Sequence, residues 1–479
     1  MIRSLHEKIQ NGEKKAIDLV REAFETIKKR DETIHAFLTL REEAALREAA
    51  AIDDQVQRGE AIDLLAGIPG ALKDNITLAH ERTTAGSKIL DNYIAPYDAG
   101  AVKKLKSVGA VVVGKTNLDE FALGSSTEQS AYGPTKNPVD ETRVPGGTSG
   151  GSAASVAGAM VSWALGSDTG GSIRQPASFT GIYGLKPTYG RVSRSGLIAA
   201  ASSLDQIGPL ATSVEDVAIV LSRIAGPDTL DATAEDKSVP RYEDELTKDI
   251  RGKKIGLPKE YFSTALDSRV RERGEAIIEK FKSLGAEVVE LELPNSRFAL
   301  PVYYIIQPSE LSSNLARFDG IRYGLSVNDG ENSLGNPGTL LETYLDSRRI
   351  GLGPEAKRRI MIGTYTLSAG YYDAYYKKAF AVRELLRRDF REAFAKVDAI
   401  FSPTTPGPAF KLGTKTDDPL QMYLEDIYTV TANLVGVPAL SFPMGTVSEE
   451  GKELPVGGQL MGKWFDEGTI LNLAHALES

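Results

Sequence analysis

Glycine and serine crowd one stretch, Val144 to Pro209, and that crowding limits what the chain can be. It carries PGGTSGGSAASVAGAM, then WALGSDTGGSIRQPASFTGIYGLKP, and closes GRVSRSGLIAAASSLDQIGPL. Glycine weakens helices and strands, so Gly146-Gly147, Gly150-Gly151 and Gly170-Gly171 predict backbone turns with positive φ or close approach to a ligand. A flexible Gly/Ser linker has no apolar pattern. Here Ala153, Ala154, Val156, Ala157, Ala159 and Met160 recur between the glycine clusters at helix-like intervals, which predicts a folded segment with its hydroxyls on stiff turns.

The flanks alternate between helical and strand patterns. Residues 1–62 read as helices, because Ile17, Val20, Phe24 and Ile27 recur at three- and four-residue spacing and Glu42 to Gln57 is rich in alanine and charge. GIPGALKDN (67–75) reads as a turn and a short apolar run that ends at Lys73, a strand end aimed into a site. Residues 101–108 predict a helix and Ala110-Val-Val-Val113 a buried strand. Gly109 to Thr116 satisfies the pattern G-x-x-x-x-G-K-[ST], but its valines place a strand between the glycines, and such a loop cannot cradle a phosphate. Further on, a helix is expected over 213–225, a polar loop over 227–250, strands at 254–257 and 287–291 around a helix at 267–284, and a strand at 398–402. Leu325 to Gly353, rich in Gly, Asn and Ser, predicts a lid or variable loop. Tyr365 to Lys396 reads as helical, with Tyr371, Tyr372, Tyr375 and Tyr376 packed in the core.

Charge and composition narrow the chemistry. The chain of 479 residues carries a net charge of −9, so it should repel a nucleic-acid backbone and leave any RNA contact to a partner. It has no cysteine, which removes thiolate metal sites and a thiol nucleophile together. His6, His35, His80 and His475 all fall outside the Gly/Ser stretch, which argues against a Ser-His-Asp triad or a zinc site. No run approaches the length of a membrane span and the N-terminus lacks a signal-like apolar core, so a soluble cytoplasmic protein is expected. Amide hydrolysis without histidine still has a route. A buried lysine loses its proton readily, a neighbouring hydroxyl can relay it, and Asp168-Thr-Gly-Gly-Ser172 offers consecutive N–H groups for an oxyanion. Lys73, Thr148 and Ser172 could form such a relay, though spacing alone does not place Lys73 beside the Ser172 turn.

GGTSGG (146–151), GSDTGGSIRQPA (166–177) and GIPGALKDN together resemble the amidase signature family, whose members use a Ser–cis-Ser–Lys triad. The resemblance implies an α/β fold with a mixed central sheet covered by helices on both faces. The chain is then one amidase domain over 1–479, made of an N-terminal helical segment 1–62, a signature core 63–210 and the remaining α/β part 211–479. It implies Ser172 as nucleophile, Lys73 as base, Thr148 at the cis-serine position, and the N–H groups of Thr169, Gly170, Gly171 and Ser172 as oxyanion hole. Threonine departs from the family pattern while keeping the hydroxyl, and Ser149 stands next to it.

Segments 113–138, 309–324, 354–376 and 418–443 resemble, within that family, the glutaminase subunits of tRNA-dependent amidotransferases. Members of that branch usually extend past the AHALES at which this chain ends. That resemblance implies Arg359 and Asp426 as the groups that hold the α-carboxylate and α-amino groups of glutamine, with Tyr303, Ser126 and Gln129 lining the pocket. It implies no metal or cofactor in this chain. Ammonia would pass to the amidotransferase subunits B and C, the former binding most of the misacylated tRNA, which is amidated with ATP and Mg2+. Glu-tRNA(Gln) is the expected acceptor, with Asp-tRNA(Asn) as a second. Two other readings remain open from the residues: a stand-alone amidase for a small amide, and a scaffold protein weakened by Thr148.

Overall fold

The structure is a computed structural model that describes residues 1–262, 266–328, 339–416 and 418–478. Its centre is one mixed sheet of eleven strands. In chain order these are β1 (Phe37–Leu40), β2 (Pro69–Lys73), β3 (Val111–Thr116), β4 (Trp163–Asp168), β5 (Tyr183–Lys186) and β6 (Gln206–Ala211). They are followed by β7 (Lys254–Pro258), β8 (Glu287–Leu291), β9 (Ala399–Pro403), β10 (Ala439–Glu449) and β11 (Lys452–Gly462). Across the sheet the order is β1-β3-β2-β4-β6-β5-β10-β11-β9-β7-β8. The strands β3, β2 and β4 run parallel, as do β9, β7 and β8, and the other pairings are antiparallel.

Successive side chains of a strand face opposite sides of the sheet. Every residue of β2, β3, β4 and β6 is buried, so helices and loops cover both faces there. The parallel pair β2/β4 is packed so tightly that a Cβ on Gly70 would lie 2.0 Å from the Trp163 ring. Such strands deliver their last residues to the same end of the sheet, and the last residues of β2 and β4 are Lys73 and Asp168. No helix among the described residues is long and apolar enough to cross a membrane.

The phosphate-loop pattern dissolves as expected. β3 runs through its last six residues, and Lys115 is buried against Asp74 (2.9 Å) and the Thr83 hydroxyl (3.1 Å). Four expectations need correction. Phe37–Leu40, inside the segment read as wholly helical, is a strand that pairs antiparallel with β3. Gly150 and Gly151 open the helix Gly150–Ala157 instead of forming a turn, although close approach does require Gly151, whose Cβ would meet the Asn117 and Ala36 carbonyls at 2.5 and 2.6 Å. The lid expected over 325–353 contains the helix Leu340–Gly351, started by a capping box between Thr339 and Glu342; residues 329–338 of that expectation lie outside the described residues.

The fourth concerns the tyrosines. The helix Pro354–Leu367 stops before Gly370 (φ +92°), a π turn follows at Asp373–Lys377, and the chain resumes as Lys378–Phe394. Tyr371, Tyr372 and Tyr375 are exposed. Tyr371 and Tyr375 pack against each other and against Tyr365 with tilted rings, Tyr365 and Tyr371 ring centres lying 4.3 Å apart, so their apolar contacts are made at the surface.

Candidate active site

Lys73 is fully buried at the end of β2, and its amine has three oxygen partners: Thr148 Oγ1 at 2.6 Å, Ser149 Oγ at 2.9 Å and the Ser167 carbonyl at 3.3 Å. None of these carries charge. Burial therefore dominates and lowers the lysine to about 7 against the pull of Asp119, Asp168 and Asp205. A lysine near 7 exchanges a proton at neutral pH, which a surface lysine does not. The Gly147–Thr148 peptide is cis. Ser149 donates to the Ser167 carbonyl (3.1 Å), and its N–H reaches the Ser172 carbonyl (3.0 Å), which brings the expected nucleophile into the same cluster. Lys73 and Thr148 are in direct contact, with Ser149 beside them, and Ser172 joins through its backbone carbonyl.

The turn that carries Ser172 is built on Asp168. Its carboxylate accepts from the N–H groups of Gly171 (2.8 Å) and Ile173 (3.1 Å), on either side of Ser172, and from Arg174 Nε and Nη2 and Asn433 Nδ2. Burial alone would raise this carboxyl; the Arg174 guanidinium and the hydrogen bonds overcome it and hold Asp168 at about 2. Gly171 adopts φ +138°, and a Cβ there would lie 2.3 Å from Thr429 Oγ1. A Cβ on Gly170 would strike the Tyr303 ring at 2.6 Å. Both glycines are needed for the close approach, as their clustering predicts. Of the four N–H groups expected to face an oxyanion, that of Gly171 is turned into Asp168, leaving those of Thr169, Gly170 and Ser172 without such a partner among the described residues. Ser172 is 7% exposed.

Tyr303 joins this centre to a second one. Packed on Gly170, it touches Tyr304 edge-on at 5.0 Å, and the Tyr304 hydroxyl donates to Asp426 Oδ2 (2.9 Å) while its ring lies under the Arg359 guanidinium (5.2 Å). Arg359 is buried; it binds Glu355 (2.7 Å) and Gln307 (3.0 Å), and Tyr423 stacks on Tyr304 at 4.0 Å. Asp426 also accepts from Ser125 Oγ (2.9 Å), yet burial outweighs these bonds and pushes it up to about 7. Gln129, Arg358, Arg359 and Tyr423 line one cavity. Arg359 and Asp426 meet around Tyr304 with Tyr303 packed beside it, whereas Gln129 shares with Arg359 a cavity that neither Asp426 nor Tyr303 lines. Ser126 is turned inward, its hydroxyl accepting from the Glu128 N–H (3.3 Å), and its neighbour Ser125 makes the contact to Asp426. Tyr304, Ser125, Glu355 and Tyr423 were not foreseen. The Tyr303-Tyr304 pair was the available signal, since adjacent helical residues point in different directions.

Among the described residues no three His, Cys, Asp or Glu side chains converge as a metal site. The arrangement suits attack by a hydroxyl on a carbonyl whose substrate carries opposite charges at its other end.

The family model for amidases matches residues 18–471. The A chain of the glutamyl-tRNA(Gln) amidotransferase of Koribacter versatilis is 56% identical over 98% of this chain and 96% of its own length. That of Carboxydothermus hydrogenoformans is 54% identical over 99% and 96%. The crystal structure of the corresponding protein from Thermotoga maritima superposes with a TM-score of 0.81 at 42% identity, covering 100% of this chain and 95% of that one. By the family model and these relatives, the chain belongs to the amidase family, in the branch of the glutamyl-tRNA(Gln) amidotransferase A subunits.

Proposed function

We propose that the protein is the glutaminase component of a tRNA-dependent amidotransferase. Ser172 Oγ attacks the glutamine carboxamide carbon while its proton passes through Thr148 Oγ1 to the neutral Lys73 amine, and the N–H groups of Thr169, Gly170 and Ser172 stabilise the oxyanion. Collapse returns the proton to the leaving nitrogen and releases ammonia. Water then hydrolyses the glutamyl ester to glutamate. Arg359 and Asp426 take the α-carboxylate and α-ammonium. The ammonia goes to the partner subunits B and C, which use ATP and Mg2+ to amidate Glu-tRNA(Gln), with Asp-tRNA(Asn) as a second acceptor.

The observation that carries this reading is the Arg359–Tyr304–Asp426 cluster, of opposite charges, joined through Tyr303 to the turn of Ser172. A small neutral amide has no use for it. The test is ammonia release from glutamine by the purified chain, alone and with the two partner subunits, with Ser172→Ala as control. Release that depends on Ser172 and rises with the partners is expected, and the Ser172→Ala complex should still amidate tRNA when given ammonium. Turnover of other amides with glutamine ignored would make it a stand-alone amidase.

A further inference from the structure

Between the two halves of the site runs a loop, 117–130, whose backbone is held in a demanding shape. Phe121, Ala122 and Thr127 have φ of +51°, +60° and +63°, a left-handed conformation that side chains other than glycine rarely adopt. Such residues persist only where their surroundings hold them. The holder here is Asp119. It is fully buried, and its Oδ2 accepts from the N–H groups of Thr127 (2.8 Å) and Ser126 (3.4 Å), its Oδ1 from that of Gln129 (2.9 Å). Backbone N–H groups bond the carboxylate directly, and the Lys73 amine acts on it without a hydrogen bond. Two glycines make room for it: a Cβ on Gly124 would lie 2.5 Å from its Cγ, and one on Gly147 would lie 2.3 Å from its Oδ2.

The loop reaches in two directions. Thr127 Oγ1 donates to the Gly146 carbonyl (2.8 Å) and accepts from the Gly150 N–H (3.1 Å), which brackets Thr148 of the relay on both sides. Ser125 Oγ donates to Asp426 of the recognition cluster. The neighbouring Glu120 binds the Gly353 N–H (2.8 Å), at the start of the helix that bears Arg359.

We propose that Asp119 is a positioning residue for amide hydrolysis: by holding the N–H groups of Ser126, Thr127 and Gln129 it fixes the relay and the α-group recognition cluster at one separation. This rests on the glutaminase reading above. Asparagine at 119 has one acceptor for N–H groups that now occupy two, so the loop must shift.

The test is steady-state glutamine hydrolysis by the assembled complex containing wild-type chain, Ser125→Ala, Thr127→Val or Asp119→Asn. Ser125→Ala should raise KM about tenfold with kcat within about threefold, and Thr127→Val should lower kcat about tenfold with KM within about threefold. Asp119→Asn should do both, each by about tenfold or more. It should also move the acid limb of kcat to lower pH, because Lys73 then faces only Asp168 and Asp205 of its three neighbouring carboxylates. Unchanged kcat and KM in Asp119→Asn, or a lowered melting temperature with unchanged kinetics, overturns the proposal. Should that variant not fold, the other two decide: if they fail to separate KM from kcat, the loop is not the spacer. A wild-type complex inert toward glutamine removes the functional reading itself, and this proposal with it.

Discussion

The relay and the recognition cluster handle buried charge in opposite ways. Lys73 is surrounded by two hydroxyls and a carbonyl, and the nearby carboxylates act on it without touching it. Its charge is left poorly compensated, so its proton is loose. Arg359 binds Glu355 directly and is stacked against Tyr304 and Tyr423, which raises it further above its ordinary range despite burial. A base must change its protonation during the reaction, whereas a group that reads a carboxylate must not. The protein obtains both behaviours at full burial by choosing which cation receives a counterion.

The largest effect should come from the relay. Lys73→Met removes the base while keeping the volume, and ammonia release from glutamine should fall by about 10^4-fold with KM little changed. Arg359→Met should act on the other half, raising KM for glutamine by about 100-fold and sparing the hydrolysis of a small amide that lacks the α-groups. If that variant lost turnover on every amide, the two halves would not be separable. Tyr304→Phe, which leaves Asp426 with Ser125 alone, should raise KM by about tenfold.

Titration sharpens the same division. Lys73, lowered from 10.5 to about 7, must be neutral to accept a proton, so kcat should rise with pH through about 7 and then level. Asp426, raised from 3.8 to about 7, must be ionised to hold an ammonium, so KM should fall over the same range. A pH series that reports kcat and KM separately checks both. For stability the signs oppose. The depressed lysine adds stability above 10.5 that is lost as pH falls through about 7, and the raised carboxyl adds stability below 3.8 that is lost as pH rises through about 7. The smallest change is Thr148→Ser, which keeps the hydroxyl at Lys73; turnover within about threefold of wild type is expected, since a hydroxyl relay needs no methyl group. A large drop would show a site tuned to threonine.

The parts of the relay were legible in the sequence one by one, but its assembly across the 75 residues between Lys73 and Thr148 was legible only through the family resemblance. Gly170 and Gly171 announce a close approach that Tyr303 and Thr429 do make, and the apolar run into Lys73 announces a buried strand end. Arg359 and Asp426 were legible only through the family resemblance. An arginine on a helix looks the same whether Glu355 and two tyrosines bury it or water surrounds it, and burial is decided by segments far away in the chain. Tyr304 was hidden by its neighbour for the same reason. Among the elements, β1 was lost because Phe37–Leu40 is too short for a pattern, and the helix Leu340–Gly351 because composition outweighed a visible Thr339/Glu342 cap. The tyrosines after Gly370 kept a helical spacing while the backbone had already broken.

The outer strand β8 has a consequence for how the molecule behaves in a crowd. A sheet that ends in an open strand offers its unpaired backbone to any other chain, which is how many proteins aggregate. On β8, Glu287 and Glu290 are exposed, and an approaching copy of the same strand would bring carboxylates against carboxylates. Glu287 shares its charge with Lys254 of β7 (3.7 Å), but like charges on two copies still work against a twelfth strand at this edge.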